Sequence, residues 1–177
     1  MTVMSVATSI EADAFRRVMA ELAAGVAVVT TLDADGEPRG LTTTALTSVS
    51  LEPPLVLVCI GSESRTLPAL RASGHFVVNL VHSAAIELAA RFASKVEDKF
   101  AGSSWQPGLR GSPVLHEDVH AWLECRVERE IEAGDHVVLL GHVEHGDVFD
   151  DRLEPLTYYR RRFGTWAPES PTERSER

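Results

Sequence analysis

The sequence contains very little cysteine and no long apolar run. Its two cysteines among 177 residues, Cys59 and Cys125, each lie within an apolar or alternating segment. This placement indicates buried thiols in a reducing compartment and gives no support for a disulfide. No apolar segment approaches the ~20 residues of a membrane-spanning helix, and the N-terminus lacks the basic segment and apolar core of a secretory signal. We therefore expect a cytoplasmic protein that does not enter a membrane.

Basic residues are scarce as well. The chain carries 17 Lys and Arg against 26 Asp and Glu, a formal net charge of −9. Because nucleic-acid binding requires a concentrated basic face, we expect no nucleic-acid partner. The apolar share of 44% and the charged share of 24% are those of a globular protein. The length predicts one domain, at residues 10–166, between a flexible leader at residues 1–9 and a disordered tail at residues 167–177.

Motifs that would identify several enzyme classes are missing. No GxGxxG follows a strand and neither GxxxxGKS nor GxxxxGKT occurs, which excludes the common nucleotide-binding loops. There is no GxSxG, and neither cysteine has a catalytic signature. No cysteine joins the histidine pairs His116 with His120 and His142 with His145, so we expect surface histidines and no metal site. The lack of an activated nucleophile is consistent with a reaction whose chemistry a bound cofactor supplies.

The segment GLTTTALTSVSLEPP, residues 40–54, is the most unusual feature that is present. Its hydroxyl-bearing residues are Thr42, Thr43, Thr44, Thr47, Ser48 and Ser50. Short β-branched alcohols suit an extended backbone, so one interpretation is a strand with threonines on its solvent face. The other is a surface that donates hydrogen bonds to a flat polar ligand without adding charge. Composition alone does not decide between them.

Helical and strand patterns alternate along the chain, and short turns join several strands. We predict helices over residues 11–24, 67–72 and 83–92, with Gly25 after the first and Ser83 as N-cap of the last. Predicted strands cover residues 26–32, 39–50, 55–60, 75–81, 123–131, 136–143 and 155–159, and residues 94–114 are expected to be irregular. Alternation would place Leu123 and Cys125 on an apolar face and Glu124 on the polar face. Because short turns favour antiparallel pairing, the predicted class is mostly β, an antiparallel barrel with short flanking helices.

Two further segments allow a structural and a functional interpretation. Gly134-Asp135-His136 fits a hairpin turn with an incidental histidine, or a histidine at a barrel rim that contacts a bound ring. Arg160-Arg161-Arg162 fits a solvated strand end, or a binding site for phosphates.

In their order along the chain, these segments resemble the short-chain flavin reductase family, the NAD(P)H:flavin reductases of two-component flavin-dependent monooxygenases. The resemblance covers about residues 15–163 and rests on GVAVVTT, GLTTTALTSVSLEPPLVLVCI, SRT, GHFVVNLV, RFASK, DKFAG, SPVL, LECRV, GDHVVLLGHV and PLTYYRRRF. It implies a homodimeric FMN-binding split β-barrel of Greek-key type that reduces FMN or FAD with NADH or NADPH. It also implies that reduced flavin passes to a separate monooxygenase. The alternative is a flavin-binding electron carrier or redox sensor of the same fold without steady-state turnover.

The resemblance also implies site residues, matched motif by motif. Those implied for the flavin are Thr42, Thr43, Thr44, Ala45, Leu46, Ser48, Val49, Ser64, Arg65 and Lys95, and those implied for NAD(P)H are His136, Tyr159, Arg160, Arg161, Arg162 and Phe163. No protein side chain is an obligatory catalyst, and His136 is the candidate on the nicotinamide side. This chain departs from the family pattern at Thr44 and Ala45, and again at Arg161 and Arg162. FMN against FAD, and NADH against NADPH, stay open at this point.

Overall fold

The computed structural model describes residues 9–150 and 152–166. Three α-helices are formed by Ala12–Met19 (α1), Leu67–Ser73 (α2) and Ile86–Ala93 (α3), with a 3₁₀ turn at Ser83–Ala85. The strands are Ala24–Gly25 (β1), Ala27–Leu32 (β2), Pro38–Thr43 (β3), Leu46–Leu51 (β4), Pro54–Gly61 (β5), His75–Val81 (β6), Gln106–Pro107 (β7), Pro113–Val114 (β8), Val119–Ala133 (β9), His136–Val148 (β10), Leu156–Tyr159 (β11) and Arg162–Thr165 (β12). Most of the predicted leader and the whole predicted tail lie outside the described residues. Within the described ranges, no helix is long and apolar enough to cross a membrane.

Seven strands form one antiparallel sheet in the order β3-β2-β6-β9-β10-β5-β4. Its two edge strands, β3 and β4, are joined by Thr44 and Ala45 alone. A flat sheet of seven strands would separate its edges by about 29 Å, whereas the three Cα–Cα steps between Thr43 and Leu46 span at most about 11 Å. The sheet is therefore rolled into a barrel whose edges meet at Thr44 and Ala45. The predicted mostly β, antiparallel barrel is confirmed.

Two apolar layers hold the barrel together. Its interior is filled by alternating side chains of the strands and closed by α2, with Val29, Val58, Ile60, Leu70, Phe76, Val78, Cys125, Val137 and Leu139 buried there. A second layer packs the other face of β2 against α3, through Val28, Leu88, Ala89, Phe92 and Leu115. Because α3 covers β2 from outside, β2 is buried on both faces. The segment that follows α3 is consequently held next to β3.

The predicted first helix is too long at its C-terminal end. Helix α1 ends at Met19, and Gly25 lies in β1 opposite Thr157, with no left-handed backbone. Residues 24 and 25 form backbone hydrogen bonds with β11, and a helix extended over these residues could not form them. Residues 39–50, predicted as one strand, are divided into β3 and β4 by the barrel closure at Thr44 and Ala45.

Three smaller expectations also differ from the structure. The cap of the helical segment before α3 is the side chain of His82, whose Nδ1 accepts from the Ala84 N–H at 3.2 Å, so Ser83 is not the cap. The region predicted to be irregular contains the short hairpin of β7 and β8. A further strand, β12, follows β11 and pairs with it.

Glu124 lies on the face of its strand opposite Cys125, as the alternation predicted, but this position is buried and not exposed to solvent. The side chain is 1% exposed, because the segment between β7 and β8 folds over it. Its carboxylate accepts hydrogen bonds from the backbone N–H groups of Leu109 and Arg110, both at 2.8 Å. Gly108 packs so closely that an added Cβ would lie 2.9 Å from a Glu124 oxygen. The buried carboxylate thus replaces water for two loop amides.

Candidate functional site

Two cavities lie beside the point where the barrel closes. A groove of about 1070 Å³ runs along β3 and is bordered by the turn before α2 and by residues 92–100. A smaller cavity of about 570 Å³ lies against Thr44 and Ala45 and is walled by α1 and by the turn between β11 and β12. Thr42 lines the groove and Thr44 lines the cavity. The connection between β3 and β4 therefore separates two spaces that a long, flat ligand could join.

Gly40 forms a narrow point of the groove wall on β3. An added Cβ would lie 2.7 Å from the ring of Phe92 and 3.1 Å from the Val29 carbonyl oxygen, so the close approach of α3 requires glycine here. The Gly40 carbonyl oxygen accepts from the Thr66 hydroxyl at 3.1 Å and from Lys99 Nζ at 3.2 Å. The turn before α2 and the segment after α3 thus meet β3 at the same level.

Three cations line the groove around this level: Arg65, Lys95 and Lys99. The Arg65 guanidinium donates to the carbonyl oxygens of Lys95 and Val96 at 2.6 and 3.1 Å, and Lys99 Nζ also donates to the Phe92 carbonyl oxygen at 2.7 Å. Within residues 9–150 and 152–166, none of the three forms an ion pair with a carboxylate. Burial, with a smaller contribution from the nearby Arg65 charge, lowers the pKa of Lys99. Carbonyl groups hold the positive charge in place, and an anion would neutralise it.

The hydroxyl-rich segment is used mainly inside the protein. Thr42 donates to the Ala89 carbonyl oxygen of α3 at 2.7 Å, and Thr43 is buried and accepts from the Ala45 N–H at 3.0 Å. Leu46 packs against the barrel interior. Ser48 and Val49 are exposed on β4 and line neither cavity. Of the residues implied for the flavin, the structure brings Thr42, Ser64, Arg65 and Lys95 together in the groove and Thr44 and Ala45 in the cavity.

The turn between β11 and β12 has an unusual backbone. Arg160 and Arg161, at φ +48° and +62°, are both left-handed, a conformation that costs non-glycine residues roughly 1–2 kcal/mol each. Glu21 holds Arg160 through hydrogen bonds of 2.9 and 3.1 Å, and it also accepts from the Tyr159 hydroxyl at 2.9 Å. The Arg160 N–H donates to the Ala20 carbonyl oxygen. The turn is thereby fixed to the end of α1, with Arg160 and Arg161 lining the cavity.

The other residues implied for NAD(P)H lie around this cavity or away from it. Phe163 packs on the Tyr158 ring, with 5.3 Å between ring centroids, and joins the layer under α3. Arg162 is exposed on β12, and neither it nor Tyr159 lines a cavity. The segment therefore contributes two cations to the cavity, while its aromatic residues hold the hairpin in place.

His136 follows a two-residue turn in which Gly134 has φ +67°. It pairs with Gly61, which lines the groove, and is itself exposed outside both cavities. Its Nδ1 lies 2.8 Å from an Asp135 oxygen, and this hydrogen bond is the main reason why the pKa of Asp135 lies below its usual value. Arg16, which lines the small cavity, contributes a smaller lowering. The histidine thus lies beside the groove on the strand next to Gly61, and Arg16 of the small cavity acts on its neighbour Asp135.

Several site residues were not predicted from the sequence. Lys99 and Glu21 were not among the implied site residues, and Glu21 lies in the segment predicted as the first helix. Phe15 and Met19 of α1 line the small cavity, and neither was among the implied site residues. Lys99 lies in DKFAG, one of the segments on which the resemblance to the flavin reductase family rests, and this could have marked it as a candidate. No local signal pointed to Glu21.

The thiols and histidines do not form a reactive centre. Burial raises the pKa of Cys125 to about 12, so its thiol is protonated at neutral pH. Cys59 is half-buried and unpaired. In the part of the chain that the structure describes, no group of three or more His, Cys, Asp or Glu side chains could hold a metal ion. The arrangement offers binding surfaces and cations instead of a protein nucleophile.

A family model and several known proteins are similar to this chain. The family model described as flavin reductase like domain matches residues 19–167. A flavin reductase (NADH) of Kitasatospora aureofaciens is 45% identical over 161 residues, 90% of this chain and 84% of the relative. A flavin reductase (NADPH) of Lentzea aerocolonigenes is 41% identical, over 87% of this chain and 89% of the relative. The crystal structure of nitrilotriacetate monooxygenase component B from Mycobacterium thermoresistibile superposes with a TM-score of 0.85 at 37% identity, covering 93% of this chain and 92% of that one.

Proposed function

This chain belongs to the flavin reductase family, and from that premise we propose that it transfers hydride from NADH or NADPH to FMN or FAD and releases the reduced flavin to a separate monooxygenase. The observation that carries the proposal is the position of Thr44 and Ala45. They line the cavity together with Arg160 and Arg161, and they follow Thr42, which lines a groove whose cations Arg65, Lys95 and Lys99 have no carboxylate partner among the described residues. A flavin whose phosphate lies in the groove can place its ring at this connection, and a nicotinamide can approach from the cavity.

The residues present fit a bound flavin. Arg65, Lys95 and Lys99 would hold its phosphate, since charge-assisted hydrogen bonds to phosphate are the strong ones. Thr44 is exposed, and its hydroxyl has no partner among the described residues, so it is available to the ring. Bound flavin supplies the acceptor for the hydride, and no protein base is needed. The contribution of the chain is to bind and orient the two rings at close range.

The small cavity would receive the nicotinamide end of the donor. Phe15 and Met19 of α1 give this cavity an apolar wall against which the nicotinamide ring would lie. Arg161 has no carboxylate partner within the described ranges and would meet a phosphate of the donor. The Glu21 contacts hold the neighbouring Arg160, so the strained turn keeps its shape before the donor binds. The role of His136 on the nicotinamide side stays a prediction.

Transfer of reduced flavin to a monooxygenase is supported by the relatives. One similar structure is component B of a nitrilotriacetate monooxygenase, and another similar protein is the reductase subunit HsaB of a flavin-dependent monooxygenase. The lining of the site also suits release, because most of the hydroxyls of residues 42–50 are engaged within the protein or lie outside the cavities. Few direct side-chain bonds would then hold the ring.

We also propose that two copies of the chain associate. Helix α1 buries none of its residues, and Phe15, Val18 and Leu22 are each more than half exposed. Leu51 on the edge strand β4 is 85% exposed. Large apolar side chains left exposed on one helix are typical of an interface. Light scattering on the purified protein is expected to give about twice 19.3 kDa, and a monomeric mass at micromolar concentration would contradict the dimer.

The activity itself is tested with four cofactor pairings. Purified protein is mixed with NADH or NADPH and with FMN or FAD, and absorbance of the reduced nicotinamide is followed. We expect flavin-dependent oxidation that is catalytic in protein and continues over many turnovers. Retention of a tight flavin without turnover would indicate an electron carrier instead. No oxidation in any of the four pairings would refute the proposed function.

A further inference from the structure

The groove continues well beyond the level at which a flavin phosphate would be held. Thr66 and Lys99 meet β3 at Gly40, and the ring position at Thr44 and Ala45 lies on the C-terminal side of that level. On the other side the groove is still lined by Asp33, by Glu37 and by the start of β3. The volume of about 1070 Å³ is slightly above the roughly 300–1,000 Å³ of small-molecule sites. FMN, which ends at its phosphate, would leave the far part unfilled.

The chemistry of the groove changes along its length. Around Gly40 it presents the cations Arg65, Lys95 and Lys99, none of them paired with a carboxylate in the described residues. Beyond Gly40 the cation present, Arg39, is already neutralised by Asp33, with its Nε and Nη2 each 2.8 Å from a carboxylate oxygen. Among the described residues, the far part therefore offers no positive charge free of a carboxylate for a second phosphate group, and it suits a neutral group.

The walls of the far part suit a nucleoside. Pro38 is half-buried and offers an apolar surface, and the Glu37 carboxylate is exposed without a hydrogen-bonding partner among the described residues. A carboxylate accepts hydrogen bonds from ribose hydroxyls or from an exocyclic amine. Val96, Glu97 and Asp98 also line the groove. Along β3, the end near Thr44 and Ala45 thus suits a flat ring, the cations at Gly40 suit phosphates, and the part near Glu37 suits a polar neutral group.

We propose that this protein is selective for FAD, with the adenosine half of the flavin lying between the hairpin of β2 and β3 and residues 96–98. The proposal rests on the proposed function, since it assigns the groove to the flavin. The two phosphates of FAD would lie at the Gly40 level, where the unpaired cations are grouped. Adenosine would then occupy the part of the groove that FMN cannot reach.

A blocking substitution tests this assignment. Glu37→Trp adds a large side chain to the far wall, and it leaves the fold intact because the contact of Glu37 to the hairpin is made by its backbone N–H to Asp33. Ala34→Trp on the same hairpin is the matched control, since Ala34 is exposed and does not line the groove. Calorimetric titration of each protein with FAD and with FMN gives the ratio of the two dissociation constants.

We expect the wild-type protein to bind FAD about tenfold more tightly than FMN or better. Glu37→Trp should reduce that ratio about tenfold, and Ala34→Trp should preserve it. Equal binding of both flavins by the wild type, or an unchanged ratio in Glu37→Trp, would overturn the proposal while leaving flavin reduction intact. A rise of the KM for NADH in Glu37→Trp with FMN as acceptor would assign the far wall to the donor's adenosine, which also overturns it. Absence of turnover with every flavin refutes the proposed function instead.

Discussion

Replacing Lys99 with methionine is expected to weaken the binding of FMN and FAD by about tenfold to a hundredfold. Its Nζ is held on the Gly40 and Phe92 carbonyl oxygens and lies near Arg65, with no carboxylate neutralising either cation in the described part of the chain. A charge-assisted hydrogen bond contributes about 1.5–3 kcal/mol, and each 1.4 kcal/mol is about a factor of ten in affinity. Calorimetric titration at low and at moderate salt measures the loss directly.

Riboflavin provides the control for this substitution. It carries the same ring and ribityl chain as FMN but no phosphate, so its affinity should change far less in Lys99→Met. Lys99→Arg, which keeps the charge, should recover part of the FMN affinity. Equal losses for riboflavin and FMN would show that Lys99 acts through the shape of the groove and not through its charge.

Replacing Glu124 with glutamine is expected to lower the free energy of unfolding by about 2–4 kcal/mol. The carboxylate accepts from two backbone N–H groups, those of Leu109 and Arg110, whereas an amide has only one accepting oxygen. One loop amide would face an NH₂ group and lose its partner in a buried place, and the cost of an unsatisfied buried group is large. Denaturant unfolding followed by tryptophan fluorescence measures the change.

Glu128→Gln on the same strand is the matched control. Glu128 is exposed and pairs with Arg126 at 2.9 Å, so its loss should change stability by no more than about 1 kcal/mol. Similar costs for the two substitutions would contradict the role assigned to the buried carboxylate. Because Glu124 lies apart from both cavities, Glu124→Gln should leave the KM for flavin close to that of the wild type at temperatures where it is folded.

Much of the strand pattern could be predicted from the sequence. The strand predicted at residues 75–81 coincides with β6, and the paired strands around Gly134-Asp135 were predicted at nearly their observed turn. Alternation and turn residues are local signals, and the buried faces of the barrel agree with them. Where the prediction failed, a distant segment had intervened. Glu124 follows the alternation on its strand, and only the segment between β7 and β8, folding over it, makes that position buried.

The hydroxyl-rich segment shows the same limit at the site. Its composition allowed either a solvent-facing strand or a ligand surface, and the ordered motifs favoured the ligand. In the structure, the hydroxyls of Thr42 and Thr43 bond to the protein itself, and Thr44 and Ala45 alone reach the small cavity. The direction of a side chain at the barrel closure depends on how the two edge strands meet. Their positions are set by pairing with strands that are distant in the sequence.

The sequence by itself determined the family, the antiparallel barrel and the presence of cations in the segments SRT, RFASK, DKFAG and YYRRRF. These follow from residue type, periodicity and order, which are properties of the chain as written. The tertiary structure decided which of those cations act together. Lys99 and Thr66, the neighbour of Arg65, both reach the Gly40 carbonyl oxygen, at a point where glycine lets α3 approach β3. Arg160 is held by Glu21 from the opposite end of the chain. Cationic side chains form an anion-binding site only where packing brings them together and no carboxylate neutralises them. Packing between distant segments is not a local property of the sequence.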